Sequence, residues 1–251
     1  MRIAVGQYPS IAGDVVANVA TAVEAVTAAS AAAARVLVLP ELFLTGYAMP
    51  PTVIDVDDPR LRPLDEAATV AGLTVIVGAA TPGEGLPQLS LLTVGAGVRR
   101  VYDELHLCGE ERSHFVAGEQ PVAVEIDGWS LGLAICYDGC FPEHARVLAD
   151  AGADVYVAAV AYFAGSEHRR DLYYRSRALD NGFFVAVSGL VGECGGAQFN
   201  GGSAVYDPEG RPLAAVAPEQ VGVVVVGSTA SRLPRPERLT RCSPNDVTLD
   251  M

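Results

Sequence analysis

The chain alternates between two patterns of apolar positions, and the alternation sets the fold class. RIAVGQ (2–7) and RVLVLP (35–40) are short, nearly continuous apolar runs of the kind found in buried strands. Between them Gly13-Asp14 supplies a helix start with Asp14 as N-cap. Val15, Val19, Val23 and Val26 then fall on one helical face that runs into an alanine-rich stretch. The same reading predicts a helix over 59–71, a strand at LTVIVGA (73–79), and a hairpin of 88–94 with 98–102 that turns at Gly95 and Gly97. The second half repeats the style. WSLGLAICYD (129–138) is a strand running into a turn, PEHARVLADAG (142–152) a helix closed by Gly152, and DVYVAAVAY (154–162) a strand. Residues 166–182 form a helix with a polar face, and FFVAVSGL, GGSAVYDPEG and VGVVVVG supply the last strands. No repeat, linker or composition shift divides the chain. The pattern predicts one α/β domain over 1–227 with helices packed on sheet. An extended tail over 228–251, with three prolines and four arginines, is expected to pack on the domain or on a neighbouring subunit.

Composition narrows the function. With 251 residues, 50% hydrophobic and 19% charged, the chain buries a large core, which excludes a disordered or fibrous protein. A net charge of −13 argues against nucleic acid or an anionic membrane as partner. All 17 cationic side chains are arginines, so chemistry that requires a lysine ammonium has no residue to run on. Residues 1–10, MRIAVGQYPS, do not read as a signal peptide, and the weakly polar stretch 15–39 is broken by Asn18, Glu24 and Arg35, so it does not read as a membrane span. Five cysteines (Cys108, Cys136, Cys140, Cys194, Cys242) form no C-x-x-C pair and no zinc-ligand spacing. A reducing cytoplasm, no metal and no cofactor are the expectations.

Three segments carry candidate chemistry. Cys136 closes an apolar strand just before YDGCFPE turns into a helix, where free backbone N–H groups and a helix dipole lower a thiol pKa and stabilise an oxyanion. The bland alternative is a small buried hydrophobe; Cys140, inside the turn, is a weaker rival. Glu41 follows VLVLP directly, at the carboxyl end of a buried strand where open α/β sheets bind ligands, or else it is a helix cap or a solvated carboxylate. YDELHLCGEERSHFVAGE (102–119) gathers Glu104, Glu110, Glu111, His106 and His114, a cluster that taken alone reads as a solvated loop. Neither histidine has metal-ligand spacing, and His106 reads as a structural hydrogen-bonder.

In order and spacing, PELFLTGY, YDELHL…EERSHFVAG and GLAICYDGCFPE together resemble the nitrilase, or carbon–nitrogen hydrolase, superfamily. AGADVYVAA, RALDNGFFVA and FNGGSAVYDPEG extend the resemblance to about residue 226. It implies a four-layer αββα sandwich that dimerises through its helices, and a small-molecule amide-type substrate handled without a cofactor. By the same resemblance Cys136 is the nucleophile that forms a thioester or thioimidate. Glu41 is the general base, Glu111 the second glutamate, and the Tyr137 N–H one oxyanion donor. The family's remaining member is a lysine in a Y-x-K-x-H-L pattern, and here that position is Glu104. The expected escape from three crowded carboxylates is a protonated Glu104 that donates a hydrogen bond, or a charge supplied by Arg112 or Arg146. The implied activity is hydrolysis of a small amide-type C–N bond through a Cys136 acyl-enzyme. The alternatives are acyl transfer or cyclisation from the same acyl-cysteine, and an inactive homologue kept as a binding or assembly module.

Overall fold

The computed structural model describes residues 1–227. Its elements run β1 (Arg2–Gln7), α1 (Val15–Ala31), β2 (Val36–Val38), α2 (Arg62–Ala71), β3 (Thr74–Thr81), β4 (Gln88–Val94), β5 (Arg99–Asp103) and β6 (Ala123–Ile126). They continue with β7 (Trp129–Ile135), α3 (Pro142–Asp150), β8 (Val155–Val160), α4 (Glu167–Asn181), β9 (Phe184–Gly189), β10 (Val191–Cys194), β11 (Ala197–Asn200), β12 (Ala204–Tyr206), β13 (Pro212–Ala215) and β14 (Gly222–Gly227). Two six-stranded sheets form, in the orders β14-β1-β2-β3-β4-β5 and β13-β12-β9-β8-β7-β6. In each, the central trio is parallel (β1, β2, β3 and β7, β8, β9) and the flanking strands are antiparallel.

Period-2 alternation sends each strand's side chains into two different cores. Ile3, Val5, Val36, Val38, Leu131, Leu133, Ile135, Val155 and Val157 meet in the core between the sheets. Ala4, Leu37 and Leu39 face outward into a core shared with Val15, Val19 and Val26 of α1 and Leu64 of α2. On the opposite outer face Tyr156, Ala158 and Val160 pack with Ala145 and Leu148 of α3 and Tyr174 of α4. The result is a single-domain αββα sandwich, and it explains why the central strands read as unbroken apolar runs: both faces are buried.

Local rules hold at most element ends. The Asp14 side chain accepts the Ala17 N–H at 3.0 Å and caps α1, and Val15, Val19 and Val26 are buried, with Val23 partly so. Gly72 and Gly182 end α2 and α4 at φ 62° and 66°, in the left-handed region that favours glycine. The helix predicted over 59–71 begins as a short 3-10 turn, Pro59–Leu61, and the strand predicted at 35–40 shrinks to Val36–Val38. β6, β13 and the β10–β11 hairpin were not foreseen. The first two are short, at the sheet margins, and the hairpin is glycine-rich. The extended tail expected at 228–251 lies outside the described residues. Among those described, no helix is long and apolar enough to cross a membrane.

Candidate active site

The carboxyl ends of the parallel strands point to one end of the sandwich, and the candidate residues sit there. Cys136 follows the last residue of β7 and opens a 3-10 turn, Cys136–Cys140. Its φ of 32° is a strained value for a residue with a Cβ. The turn is held from two sides. Tyr174 of α4 donates its hydroxyl to the Cys136 carbonyl at 2.9 Å, and its ring lies so close to Gly139 that a Cβ there would meet ring atoms at 2.6–2.7 Å. Glycine is required at that position by close approach.

Asp138, fully buried in the same turn, ties it to the chain after β5. It accepts the Ile135 N–H (3.0 Å), the Tyr102 hydroxyl (2.6 Å), the N–H groups of Leu105 and His106 (3.2 and 3.1 Å) and faces His106 Nδ1 at 2.9 Å. His106 is therefore a structural partner, stacked on Phe141, as the sequence suggested. His144 lies between the Tyr102 and Tyr156 hydroxyls behind it. These bonds fix where Glu104 stands.

The carboxyl cluster is not a solvated loop. Glu41, Glu104 and Glu111 are all buried, at 0, 1 and 4% exposure, and one oxygen from each lies within 4.8 Å of the others. Glu110 and His114, by contrast, form a loose 3.8 Å pair nearer the surface. The isolated reading of 102–119 as a solvated loop fails because the β4–β5 pairing continues past β5. The Glu104 N–H donates to the Leu89 carbonyl at 2.9 Å, which turns its side chain inward.

The three carboxyls differ in how well they are partnered. Glu111 accepts the Tyr47 hydroxyl and the Cys108 N–H, each at 2.6 Å. Glu104 Oε1 accepts the Tyr137 N–H at 3.3 Å, so the expected oxyanion donor is already engaged by a carboxyl oxygen. Glu104 Oε2 and both oxygens of Glu41 are buried with no hydrogen-bond partner. The Cys136 thiol and the Ala161 N–H, just beyond β8, approach Glu41 without the geometry of a formed bond, and both favour its charged form.

Burial and mutual repulsion push Glu41 and Glu104 well above the usual carboxylate range. Glu111 is also raised, chiefly by burial, with its two donors opposing the shift. The cluster titrates as a unit. Glu111, with two formed donors, is shifted less than Glu41 and Glu104. Burial and the three glutamates also raise the Cys136 thiol well above its ordinary value. It is a thiol and needs a base beside it to react. The residue as a whole is only half-buried.

Neither arginine considered as a replacement charge points inward. The exposed Arg112 donates to the Leu107 carbonyl at 2.9 Å and acts only weakly on Glu111, and the exposed Arg146 donates to the Asp180 carbonyl at 2.7 Å. Cys140 sits 3.8 Å from the Tyr162 hydroxyl, with burial again raising its thiol. Sequence spacing showed no metal-ligand set, yet the folded chain brings three carboxylate oxygens within 4.8 Å of one another, a grouping that could ligate a cation. Tyr47, Asp138 and Ala161 are site residues that sequence reasoning did not single out. Tyr47 and Asp138 stood inside the quoted motifs PELFLTGY and CYDGCFPE, which was the available signal.

The fold is that of the nitrilase superfamily. The chain aligns with the amidase from Nesterenkonia sp. AN1, solved with acrylamide added at its active-site cysteine, at a TM-score of 0.82 and 28% identity, covering 91% of this chain and 93% of that one. It is 31% identical to an (R)-stereoselective amidase of Pseudomonas sp. over 90% of this chain and 84% of that protein. It is likewise 31% identical to the omega-amidase YafV of Escherichia coli K12, over 71% of each. The sequence profile of the carbon-nitrogen hydrolase family matches residues 2–233, and the chain belongs to that family.

Proposed function

We propose that the protein hydrolyses a small, non-peptide, amide-type C–N bond through a covalent intermediate on Cys136. One observation carries this reading: a thiol fixed at a strained strand end against the buried, unpartnered carboxyl of Glu41. Glu41 takes the thiol proton as sulfur attacks, returns it to the departing nitrogen, and takes another from the water that cleaves the intermediate. Glu111, held by Tyr47 and Cys108, makes Glu41 more basic when it is ionised beside it. With a carbonyl substrate, Glu104 serves as the neutral acid that donates from Oε2 to the developing oxyanion, the role the resemblance gives to a lysine. Amidase relatives support the reaction class. No observation favours acyl transfer, cyclisation or a purely binding role.

The test is intact-protein mass spectrometry after exposure to fluoroacetamide and to a panel of small amides. The adduct is expected on the peptide that holds Cys136, and it should persist in Cys140→Ala. Labelling of Cys140 in its place would overturn the assignment.

The pairing with a second copy expected from the resemblance is supported by apolar side chains exposed on the outer helices: Val147 on α3, and Leu172 and Leu179 on α4. Light scattering should give at least twice the 26.1 kDa of one chain, and a monomer at micromolar concentration would refute the pairing.

A further inference from the structure

A carbonyl amide asks its enzyme for hydrogen-bond donors, because attack converts the carbonyl oxygen into an oxyanion. This site offers few. No lysine exists in the chain, and the Tyr137 N–H is spent on Glu104 Oε1. What the site presents to the thiol instead is acceptors. Glu104 Oε2, Glu41 Oε1 and Glu41 Oε2 are three of the five buried side-chain polar atoms without a hydrogen-bond partner among the described residues, and one oxygen each of Glu41, Glu104 and Glu111 lie within 4.8 Å of one another. Unpartnered buried acceptors are costly unless something that donates, and preferably something positive, completes them.

We infer that the electrophile this site is built for is a cationic amidinium or guanidinium group, held by the carboxylates of Glu104 and Glu41 with its central carbon against the Cys136 thiol. The inference rests on the thiol-hydrolase reading above and names its substrate class. The planar cation carries several N–H donors and no acceptor, the complement of paired carboxylates. It also removes the need for an oxyanion hole. The thiol gives its proton to Glu41 and the sulfur adds to the cationic carbon. The product is a neutral tetrahedral adduct, so charge is cancelled where a carbonyl substrate would create it. Glu41 returns the proton to one nitrogen, the C–N bond breaks, ammonia leaves, and a cationic thioimidate remains on Cys136. Water then adds to that carbon and loses a proton to Glu41. The C–S bond breaks, the sulfur regains a proton, and the product is a carbonyl amide, or a urea from a guanidinium. Net, amidinium plus water gives amide plus ammonium, with no redox partner. The product is the poorer substrate, because a carbonyl amide needs Glu104 protonated as a donor where the cation needs it ionised.

A metal ion is the competing occupant of three clustered carboxylates. It would complete the acceptors but leave the thiol no carbon to attack.

The groups facing Glu104 are Glu41 from the segment after β2, Glu111 from the turn after β5, Cys136 and Asp138 from the turn after β7, and Tyr102 from β5. Three of these are carboxyl groups, whose charge favours a cation, and none among them is basic.

The experiment compares matched pairs on the purified full chain: acetamidine with acetamide, butyramidine with butyramide, and benzamidine with benzamide. Ammonia release gives kcat/KM, and the mass of the Cys136 peptide reports the intermediate. At least one amidine should exceed its amide by about a hundredfold or more, the size expected for a buried charge pair. Its advantage should grow as pH rises and Glu104 ionises. Glu104→Gln should cut the ratio by about a hundredfold and Glu104→Lys should invert it. In Cys136→Ala, calorimetry should show acetamidinium binding with proton release, lost when Glu104→Gln is added, and this reads the contact without turnover. A cooperative melt of each variant confirms that it is folded. If Cys136 is labelled but every amide outruns its amidine, or the ratio is unmoved by Glu104→Gln, this inference falls and the hydrolase reading stands. If amidine turnover disappears with a chelator, a metal ion occupies the carboxylates and the inference also falls. If no member of any pair labels Cys136 or releases ammonia, in wild type or Glu104→Lys, the hydrolase reading itself falls.

Discussion

Cys136→Ala is expected to lower turnover by about 10⁵–10⁶, the loss that accompanies removal of a catalytic nucleophile. The magnitude follows from how little the site can do without sulfur. Its carboxyls can position the substrate, shuttle protons and donate to an oxyanion, but without the sulfur the only nucleophile left is water, and no covalent intermediate can form. Cys140→Ala is the matched control. Its thiol is four residues away, faces the Tyr162 hydroxyl, and has no unpartnered carboxyl beside it to take its proton. It should retain turnover of the same order as wild type. Rate measurements on the two variants, with melting curves to show that both are folded, separate chemistry from scaffold. Comparable losses in both would mean that the turn, rather than one sulfur, is what the substitutions damage.

The second large effect concerns the pH profile with a carbonyl amide. Glu41 must be ionised to take the thiol proton, and Glu104 must be protonated to donate to the oxyanion. Burial and each other's charge hold both above the usual carboxylate range, and these roles require Glu41 to ionise before Glu104. Turnover should therefore rise as pH climbs through the Glu41 step and fall as Glu104 ionises, a bell whose limbs belong to the coupled cluster. In Glu104→Gln, a neutral donor at every pH, the alkaline limb should vanish. Glu104→Ala should cost about 10²–10³ at the optimum, as for loss of one oxyanion donor. An alkaline limb that survives unchanged in Glu104→Gln would assign it to another group, with the Cys136 thiol first in line.

Much of the fold was legible because its central strands are buried on both faces and its helices on one, so each element carries its own period. Cys136 and Glu41 stood out for a related reason: each follows the end of such a run, where the parallel strands deliver their loops. What local pattern could not supply was the meeting of residues 41, 104, 111 and 136. That juxtaposition comes from packing one sheet on the other and from Asp138 clamping the chain after β5 onto the turn after β7. Read locally, Glu104 and Glu111 are charges in a polar loop, and only the resemblance drew them inward. Tyr47 and Ala161 escaped notice because their contributions are a hydroxyl and a backbone N–H aimed across the domain. Short marginal strands such as β6 and β13 carry too few residues to show a period.

The buried trio also sets a term in the energetics of folding. In the unfolded chain Glu41, Glu104 and Glu111 are ordinary acids that ionise near pH 4.3, about the value for exposed glutamate. In the folded chain all three hold their protons to higher pH. Between those limits the native state binds more protons than the unfolded one, so folding takes up protons and stability falls as pH rises. The contribution is whole in acid and is surrendered as the solution turns alkaline through the cluster's own titration. Most globular proteins loosen in acid, when paired carboxylates are forced to accept protons. Here the catalytic end pulls the other way, and mild acid is where this scaffold and its site are least at odds.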